Sequence, residues 1–276
     1  MSNNRLKGRD FISLKDFTSE ELWEFIKTAE YLKTKRKIGE ETPLLAGKTL
    51  GMIFTKASTR TRVSFEVGML QLGGQALFLG AQEIQIHRGE SIPDTARVLS
   101  RYLDGIMIRT HAHQDLLELA EYADIPVING LTDLLHPCQA LADIFTVYEK
   151  KGDPKGKKLA YIGDGNNMAH SLLYGGARFG MKVSVASPPG YQPLEEVVRE
   201  AKTIALSTGG EVEVVVDPKE AARGADLIYT DVWTSMGQEA ERAERARVFQ
   251  GYQVNKELMT HADPRAMVMH CLPAHK

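Results

Sequence analysis

Short apolar runs alternate with helix-periodic stretches along most of this chain, and no other feature restricts its fold as strongly. In the first half the apolar runs fall at residues 50–54, 76–79, 105–108 and 126–128, with helical spacing at 61–72, 93–103 and 114–122 between them. In the second half apolar runs recur at 159–162, 183–186, 212–216, 227–229 and 266–269. Strands that alternate with helices form βαβ units, in which the strands run parallel. The sequence therefore predicts an α/β fold.

A chain of 276 residues is long enough for two domains with separate cores. The helical pattern at 137–148 is followed by a charged stretch rich in glycine and proline, at 150–158, which is typical of a connection between domains. We therefore predict a first domain at 1–135, an interdomain helix at 136–150 and a second domain at 151–276. Each domain is expected to be a mostly parallel sheet flanked by helices.

The balance of charge excludes several classes of partner. The chain has 34 basic and 36 acidic residues and a formal charge of −2, so neither nucleic acid nor a membrane surface is an expected partner. No apolar run approaches the roughly 18 residues of a membrane span, and the first residues lack the apolar core of a signal peptide. Cytoplasmic localisation is therefore expected. Cys138 and Cys271 are expected to be free thiols, because neither lies in a metal-binding spacing.

The segment 58–62, Ser-Thr-Arg-Thr-Arg, follows the apolar run 50–54 and precedes a helical pattern. A helix start offers unpaired backbone N–H groups and a positive dipole end, and hydroxyl and guanidinium groups could converge there on a phosphate. A capped helix with solvent-facing arginines explains the same segment equally well.

Two further polar positions in the first half follow strand patterns. Arg109 ends the apolar run 105–108, where either a ligand or an internal ion pair would justify a guanidinium. His136 and Gln139 flank the start of a helical pattern, about one turn apart, with Pro137 at a position that tolerates its missing N–H. A ligand site and a structural histidine both remain open.

The second half shows the same arrangement. Asp-Gly-Asn-Asn at 164–167 follows the run 159–162, as either a ligand-binding turn or a simple turn, and it does not match the dinucleotide-binding motif. The segment 231–237, Asp-Val-Trp-Thr-Ser-Met-Gly, could bind an ammonium group or be a surface loop. Cys271 follows the run 266–269, where most cysteines are inert core residues.

Together, and in this order, these motifs resemble the transcarbamylase family from the first helix to the last residue. Residues 58–62 and His-Pro-Cys-Gln at 136–139 are similar to the family's carbamoyl phosphate motifs, and 231–237 and His-Cys-Leu-Pro at 270–273 are similar to those of its ornithine-specific members. The resemblance implies a transcarbamylase-like fold and transfer of a carbamoyl group from carbamoyl phosphate to the δ-amine of L-ornithine. Carbamoyl phosphate is already activated, so no metal and no organic cofactor is expected.

The resemblance also implies roles for individual residues. Carbamoyl phosphate is expected to bind to Ser58, Thr59, Arg60, Thr61, Gln85, Arg109, His136 and Gln139. Ornithine is expected to bind to Asn167, Asp231, Ser235, Met236, Cys271 and Leu272. The catalytic set comprises Arg60, Arg109, His136 and Cys271, with Thr61 as a further candidate donor to the carbonyl oxygen and Cys271 orienting the δ-amine rather than forming a covalent bond.

Family members place the glutamine equivalent to Gln85 in a neighbouring subunit's site, so a homotrimer or a multiple of trimers is expected. Their sequences continue past the His-Cys-Leu-Pro motif through a segment with an ornithine-linked arginine and a helix that returns to the first domain, whereas this sequence ends at Lys276. The short end leaves a non-catalytic relative as one alternative. A second alternative is a transcarbamylase for another amine, such as putrescine or N-acetylornithine, which would share the first-domain motifs and differ in the segment 231–237.

Overall fold

The computed structural model describes residues 5–81, 83–234 and 239–274. The chain divides into two compact units, Met1–Cys138 (unit 1) and Gln139–Lys276 (unit 2). This division falls within the first turn of the helix Pro137–Lys151, whereas the sequence expectation gave residues 136–150 to a separate interdomain helix.

Unit 1 is built on a four-stranded parallel sheet. Its strands are β1 (Thr49–Phe54), β2 (Gln75–Gly80), β3 (Gly105–Arg109) and β4 (Val127–Leu131), and its helices are α1 (Ser19–Lys37), α2 (Thr59–Gln71), α3 (Ile92–Leu99) and α4 (His113–Tyr122). Short 3₁₀ helices occupy Leu14–Asp16 and Gln85–Arg88. The strand order is β2-β1-β3-β4, and the register of the central pair places Phe54 opposite Arg109.

Apolar side chains of β3 alternate between two cores. Ile106 and Ile108 belong to the cluster that contains Leu116 of α4, whereas Met107 belongs to the cluster that contains Met69 of α2. A parallel sheet covered by helices on both faces buries consecutive residues of its central strands in this way. Arg109 therefore ends a strand whose apolar side chains are all packed in these two cores.

Unit 2 is built on a five-stranded parallel sheet of order β7-β6-β5-β8-β9. Its strands are β5 (Lys158–Ile162), β6 (Lys182–Ala186), β7 (Glu211–Val215), β8 (Leu227–Thr230) and β9 (Met267–His270). Its helices are α5 (Pro137–Lys151), α6 (Asn167–Arg178), α7 (Glu195–Thr208), α8 (Pro218–Ala222), α9 (Arg242–Val248) and α10 (Lys256–Met259), with 3₁₀ turns at Glu239–Glu241 and Phe249–Tyr252. Its core includes Ile162, Ile228 and Phe249.

The predicted fold class, two mostly parallel sheets flanked by helices, is confirmed. The carboxyl ends of two helices differ from the periodic patterns by three or more residues. Helix α3 ends at Leu99, before the predicted 103, and the Ser100 hydroxyl at its end donates to the Ala96 carbonyl, a bond that competes with helix continuation. Helix α5 continues to Lys151, past the predicted 148. Among the described residues, no helix has both the length and the apolar character needed to cross a membrane.

The carboxyl ends of parallel strands lie at one edge of each sheet, where α/β proteins bind ligands. In unit 1 Ser58 and His136 follow β1 and β4, and Arg109 is the last residue of β3. In unit 2 Asn167, Asp231 and Cys271 follow β5, β8 and β9. The topology therefore gathers the predicted residues of each unit at one edge.

Candidate active site

Helix α2 begins where the sequence predicts an anion site. Ser58 is its N-cap in an extended conformation, and the Ser58 Oγ atom accepts a hydrogen bond from the Thr61 backbone N–H at 3.2 Å. Thr59 and Arg60 open the first turn, which carries the positive end of the helix dipole. Arg62 is turned elsewhere, because its Nε atom lies 3.0 Å from Glu66 and its guanidinium lies over the ring of Phe78.

Arg109 lies beside this helix start. Its side chain is buried, and its Nη1 atom donates to Thr61 Oγ1 at 3.3 Å. Its Nε atom is also buried and has no hydrogen-bond partner within the described part of the chain. Burial, and then the charge of Arg60, lower the pKa of Arg109 to about 10. Arg109 is buried and Arg60 is exposed, and two like charges side by side favour an anion between them.

A third cation, Lys56, lies close by without having been assigned a role from the sequence. It is 7% exposed, and its Nζ atom pairs with Asp133 Oδ1 at 2.9 Å. The carboxylate is more than half exposed, so it neutralises the lysine incompletely. The sequence signal was available, because Lys56 lies two residues before the 58–62 motif.

His136 is a neutral histidine in this surrounding. Burial is the largest cause that lowers the pKa of His136, to about 3, and the charges of Arg109 and Lys56 add to it. A neutral imidazole offers one N–H donor and one acceptor. At neutral pH His136 can therefore donate a hydrogen bond to a carbonyl oxygen, but it brings no charge.

Gln85 is not linked to these groups by a hydrogen bond within the described residues. It begins the 3₁₀ helix Gln85–Arg88 and is exposed. Among the described residues, no hydrogen bond joins its side chain to the helix start of α2 or to Arg109. Unit 1 thus brings together Ser58, Thr61, Arg60, Arg109 and His136, but leaves Gln85 outside.

In unit 2 the turn after β5 is linked to the turn after β8. Asn166 caps α6 by accepting from the Met168 N–H at 2.9 Å, and its Nδ2 atom donates to Asp231 Oδ2 at 3.0 Å. The sequence argument selected the neighbouring Asn167, which is the first residue of α6. Asn166 was missed because an Asp-Gly-Asn-Asn turn does not show which asparagine caps the helix.

The Asp231 carboxylate also accepts a hydrogen bond from the thiol of Cys271, whose Sγ atom lies 3.0 Å from Asp231 Oδ1. Burial, followed by the Asp231 charge, raises the pKa of Cys271. The thiol is therefore protonated at neutral pH and is a poor nucleophile. Leu272 follows with a φ of 59°, in the left-handed region that branched residues seldom adopt.

One group of three potential metal ligands lies within the described residues, Asp231, His270 and Cys271, whose ligand atoms are within 4.8 Å of one another. A metal would require the Cys271 thiolate. The thiol donates to Asp231 and its pKa is raised, so the group favours a hydrogen-bonded pair over a metal centre.

Asp143 is a buried carboxylate that sequence reasoning missed. It lies on α5 and accepts hydrogen bonds from Gln139 Nε2 at 3.0 Å and from the Tyr229 hydroxyl at 2.9 Å. Burial raises the pKa of Asp143 to about 6, although both hydrogen bonds act in the opposite direction. Nothing in the local periodicity of α5 singles out this aspartate.

Arg245 of α9 is a further residue that the sequence did not reveal. It is buried, pairs with Asp164 at 2.8 Å and donates to the Trp233 carbonyl at 3.1 Å. It thereby fixes the turn after β5 to the segment after β8. Ser235 and Met236, which were predicted to bind ornithine, lie outside the described residues.

Comparison with known proteins covers both units. Residues 9–149 match the family described as aspartate/ornithine carbamoyltransferase, carbamoyl-P binding domain, and residues 155–276 match aspartate/ornithine carbamoyltransferase, Asp/Orn binding domain. Ornithine carbamoyltransferase of Symbiobacterium thermophilum is 60% identical over 271 residues, which are 98% of this chain and 87% of that protein. The enzyme of that name from Pyrococcus abyssi is 58% identical, over 98% of this chain and 86% of the relative. The solved ornithine carbamoyltransferase of Pyrococcus furiosus has a TM-score of 0.96 at 57% identity, covering 98% of this chain and 87% of that one.

Proposed function

This chain belongs to the aspartate/ornithine carbamoyltransferase family, and we propose that it transfers the carbamoyl group of carbamoyl phosphate to the δ-amine of L-ornithine, giving L-citrulline and phosphate. It is thus a carbamoyl transferase. The relatives that match over 98% of the chain are named for ornithine, and no feature of the described residues favours putrescine or N-acetylornithine.

The observation that carries this proposal is the accumulation of positive charge in unit 1. Arg109 is buried beside Arg60, with one side-chain hydrogen bond to Thr61, at the N-terminus of α2. Such charge is costly until an anion binds. The phosphate of carbamoyl phosphate is that anion, and we assign it to Arg60, to the hydroxyl groups of Ser58, Thr59 and Thr61, and to the backbone N–H groups of Ser58 and Thr59.

The carbamoyl end is assigned to Arg109, His136 and Gln139. When the amine attacks the carbamoyl carbon, negative charge develops on the carbonyl oxygen, and donors aimed at that oxygen lower the barrier. Arg109, Thr61 and neutral His136 supply such donors. Phosphate then leaves towards the positive end of α2, so the same groups bind the substrate and stabilise the leaving group.

The head of ornithine is assigned to unit 2. The α-ammonium group binds the Asp231 carboxylate and the Ser235 hydroxyl, and the α-carboxylate binds Asn167 and the backbone N–H of Met236. Asp231 suits an ammonium partner because Asn166 and Cys271 already orient both of its oxygens. Putrescine has no α-carboxylate and would leave Asn167 and Met236 unused.

The δ-amine is assigned to Cys271 and the Leu272 carbonyl. An ornithine amine is mostly protonated near neutral pH, so it must lose a proton before it attacks. A carbonyl acceptor and a neutral thiol orient the amine without adding a second cation beside it. The raised pKa of Cys271 supports this orienting role over covalent catalysis.

We assign the active form to a homotrimer, or a multiple of trimers, in which Gln85 reaches the site of a neighbouring subunit. The exposed apolar face of α2 supports association, because Val63, Val67 and Leu70 are 50%, 40% and 74% exposed at helical spacing. Mixing a Gln85→Ala variant with an Arg109→Met variant should restore activity by forming intact sites. No recovery in reassembled mixtures would argue against a shared site.

We place the protein in the cytoplasm and in the synthesis of arginine. One relative, from Pyrococcus furiosus, is named an anabolic ornithine carbamoyltransferase and is 57% identical over 98% of this chain. The assignment to arginine synthesis concerns only the direction in which the reaction runs, because the same residues would also catalyse citrulline breakdown.

The deciding experiment is a citrulline assay with carbamoyl phosphate and several amines. Ornithine should be carbamoylated, with putrescine and N-acetylornithine at least 100-fold slower in kcat/KM, because each lacks groups that unit 2 binds and would leave buried polar partners unpaired. A faster reaction with either analogue, or no reaction with any amine, would overturn the proposed function.

A further inference from the structure

Asp143 is held between two donors inside unit 2. It lies one helical turn after Gln139 on α5 and is 7% exposed. Its Oδ1 atom accepts from Gln139 Nε2 at 3.0 Å and its Oδ2 atom accepts from the Tyr229 hydroxyl at 2.9 Å. Tyr229 is itself fully buried and stacks on Tyr161, with 5.9 Å between ring centroids. Both carboxylate oxygens are thus fixed by rigid neighbours.

This contact settles which end of the Gln139 amide faces outward. A glutamine amide has a donor end and an acceptor end of nearly equal size, and either can face a ligand. An ionised carboxylate only accepts hydrogen bonds. Asp143 therefore binds the NH₂ end of Gln139 and leaves the Oε1 atom as the group that Gln139 can offer to a substrate.

The charge state of Asp143 supports this reading. Burial raises the pKa of Asp143 to about 6, so the group is mostly ionised at pH 7.5 and able to accept from both partners. The Tyr229 hydroxyl bonds the other oxygen, Oδ2, so it does not compete with Gln139 for Oδ1.

We propose that Asp143 is a positioning residue for the carbamoyl group. By holding the NH₂ end of the Gln139 amide, Asp143 presents the Gln139 Oε1 atom as an acceptor to the carbamoyl NH₂. This contact selects carbamoyl phosphate against acyl phosphates that lack an amino group. The inference rests on the proposed function, in which Gln139 binds the carbamoyl end. Acetyl phosphate is the informative analogue, because it carries a methyl group where carbamoyl phosphate carries NH₂.

The test compares the two phosphates in wild type, Asp143→Asn and Tyr229→Phe. An asparagine at 143 carries its own NH₂ group, and if it donates to Gln139 the Gln139 amide turns so that its NH₂ end faces the carbamoyl NH₂. We expect wild type to bind carbamoyl phosphate roughly tenfold or more tightly than acetyl phosphate, from one hydrogen bond and the cost of leaving an acceptor unpaired. In Asp143→Asn this ratio should fall to about threefold or less, while acetyl phosphate affinity changes little.

Tyr229→Phe is the matched control, because it removes the other hydrogen bond to Asp143 and keeps the Gln139 contact; its ratio should remain within about twofold of wild type. If the asparagine variant fails to fold, Asp143→Ala repeats the test with no polar group at position 143. Calorimetric titration gives both affinities, and thermal melting reports folding. An unchanged ratio in a folded Asp143 variant overturns the inference alone. A wild type that binds neither phosphate, or makes no citrulline, overturns the proposed function instead.

Discussion

Replacing Arg109 with methionine should weaken carbamoyl phosphate binding and stabilise the ligand-free protein at the same time. Methionine keeps most of the side-chain length and packs well among apolar neighbours. The guanidinium that it removes is 7% exposed, lies beside Arg60 and makes one side-chain hydrogen bond, to Thr61. The folded protein thus maintains an unfavourable charge, to which the proposed function gives a use in binding carbamoyl phosphate.

The size of the effect follows from the pKa of Arg109, which burial and Arg60 lower from 12.5 to about 10. One pKa unit corresponds to about 1.36 kcal/mol, so charged Arg109 costs the folded state roughly 3 kcal/mol. The lowered pKa means that the unfolded chain binds the proton more tightly, and this cost therefore applies in full at every pH below about 10. Losing the Thr61 hydrogen bond offsets about 1 kcal/mol, which leaves a gain of roughly 2 kcal/mol and a rise in Tm of several degrees.

Two measurements check the prediction. Calorimetry should show carbamoyl phosphate binding weakened about 100-fold, the equivalent of the roughly 3 kcal/mol expected for hydrogen bonds to a charged group. Thermal melting without ligand should show the higher Tm. Arg62→Met is the matched control. Arg62 lies near the start of α2, as Arg60 and Thr61 do, but its side chain is 44% exposed and pairs with Glu66. Its carbamoyl phosphate affinity should remain within about twofold of wild type.

Either of two results would refute this reasoning. If Arg109→Met bound carbamoyl phosphate like wild type, the guanidinium would have no part in the anion site. If the ligand-free variant melted at a lower temperature, the charge of Arg109 would be stabilising, and the proposed tension with Arg60 would be wrong.

Three further predictions concern both units. Arg60→Leu should weaken carbamoyl phosphate binding at least tenfold and leave ornithine binding unchanged in separate titrations; an unchanged carbamoyl phosphate affinity would indicate a simple helix cap. Ornithine should protect Cys271 from alkylation. Asp231→Asn should speed the alkylation of Cys271, because the Asp231 charge raises the pKa of the thiol. Equal labelling rates in all cases would contradict the contacts of Cys271 with ornithine and with Asp231. Asn166→Ala should lower stability by about 1 kcal/mol and raise the KM for ornithine, whereas Ser91→Ala, which uncaps α3, should lower stability alone; equal effects on KM would refute the role of Asn166.

Local patterns predicted the elements of this fold well, because strand and helix periods differ and each buried strand here is short and apolar. Helix α1 is an example, because Thr18 and Glu21 have the spacing of a capping box and exchange both of its hydrogen bonds. Helix ends were less predictable. The end of α3 depends on Ser100, which also accepts from the distant Asp124 N–H, and no local window contains that contact.

The candidate site divides in the same way. Ser58 and Arg109 could be found from their places after apolar runs. Arg245 could not, because its partner Asp164 lies 81 residues away and α9 looks like an ordinary charged surface helix. Asp143 was hidden for a similar reason, since its partner Tyr229 lies on a strand 86 residues later.

The pairing of Phe54 with Arg109 also determines which changes of length this chain can accept. Side chains alternate between the two faces of a sheet, so one residue inserted or deleted within β3 would turn the guanidinium to the opposite face. The connection at 152–157 between α5 and β5 carries no such restriction. A change of length in that connection leaves the Arg109 side chain on its face of the sheet, whereas the count of residues between Gly105 and Arg109 must stay constant.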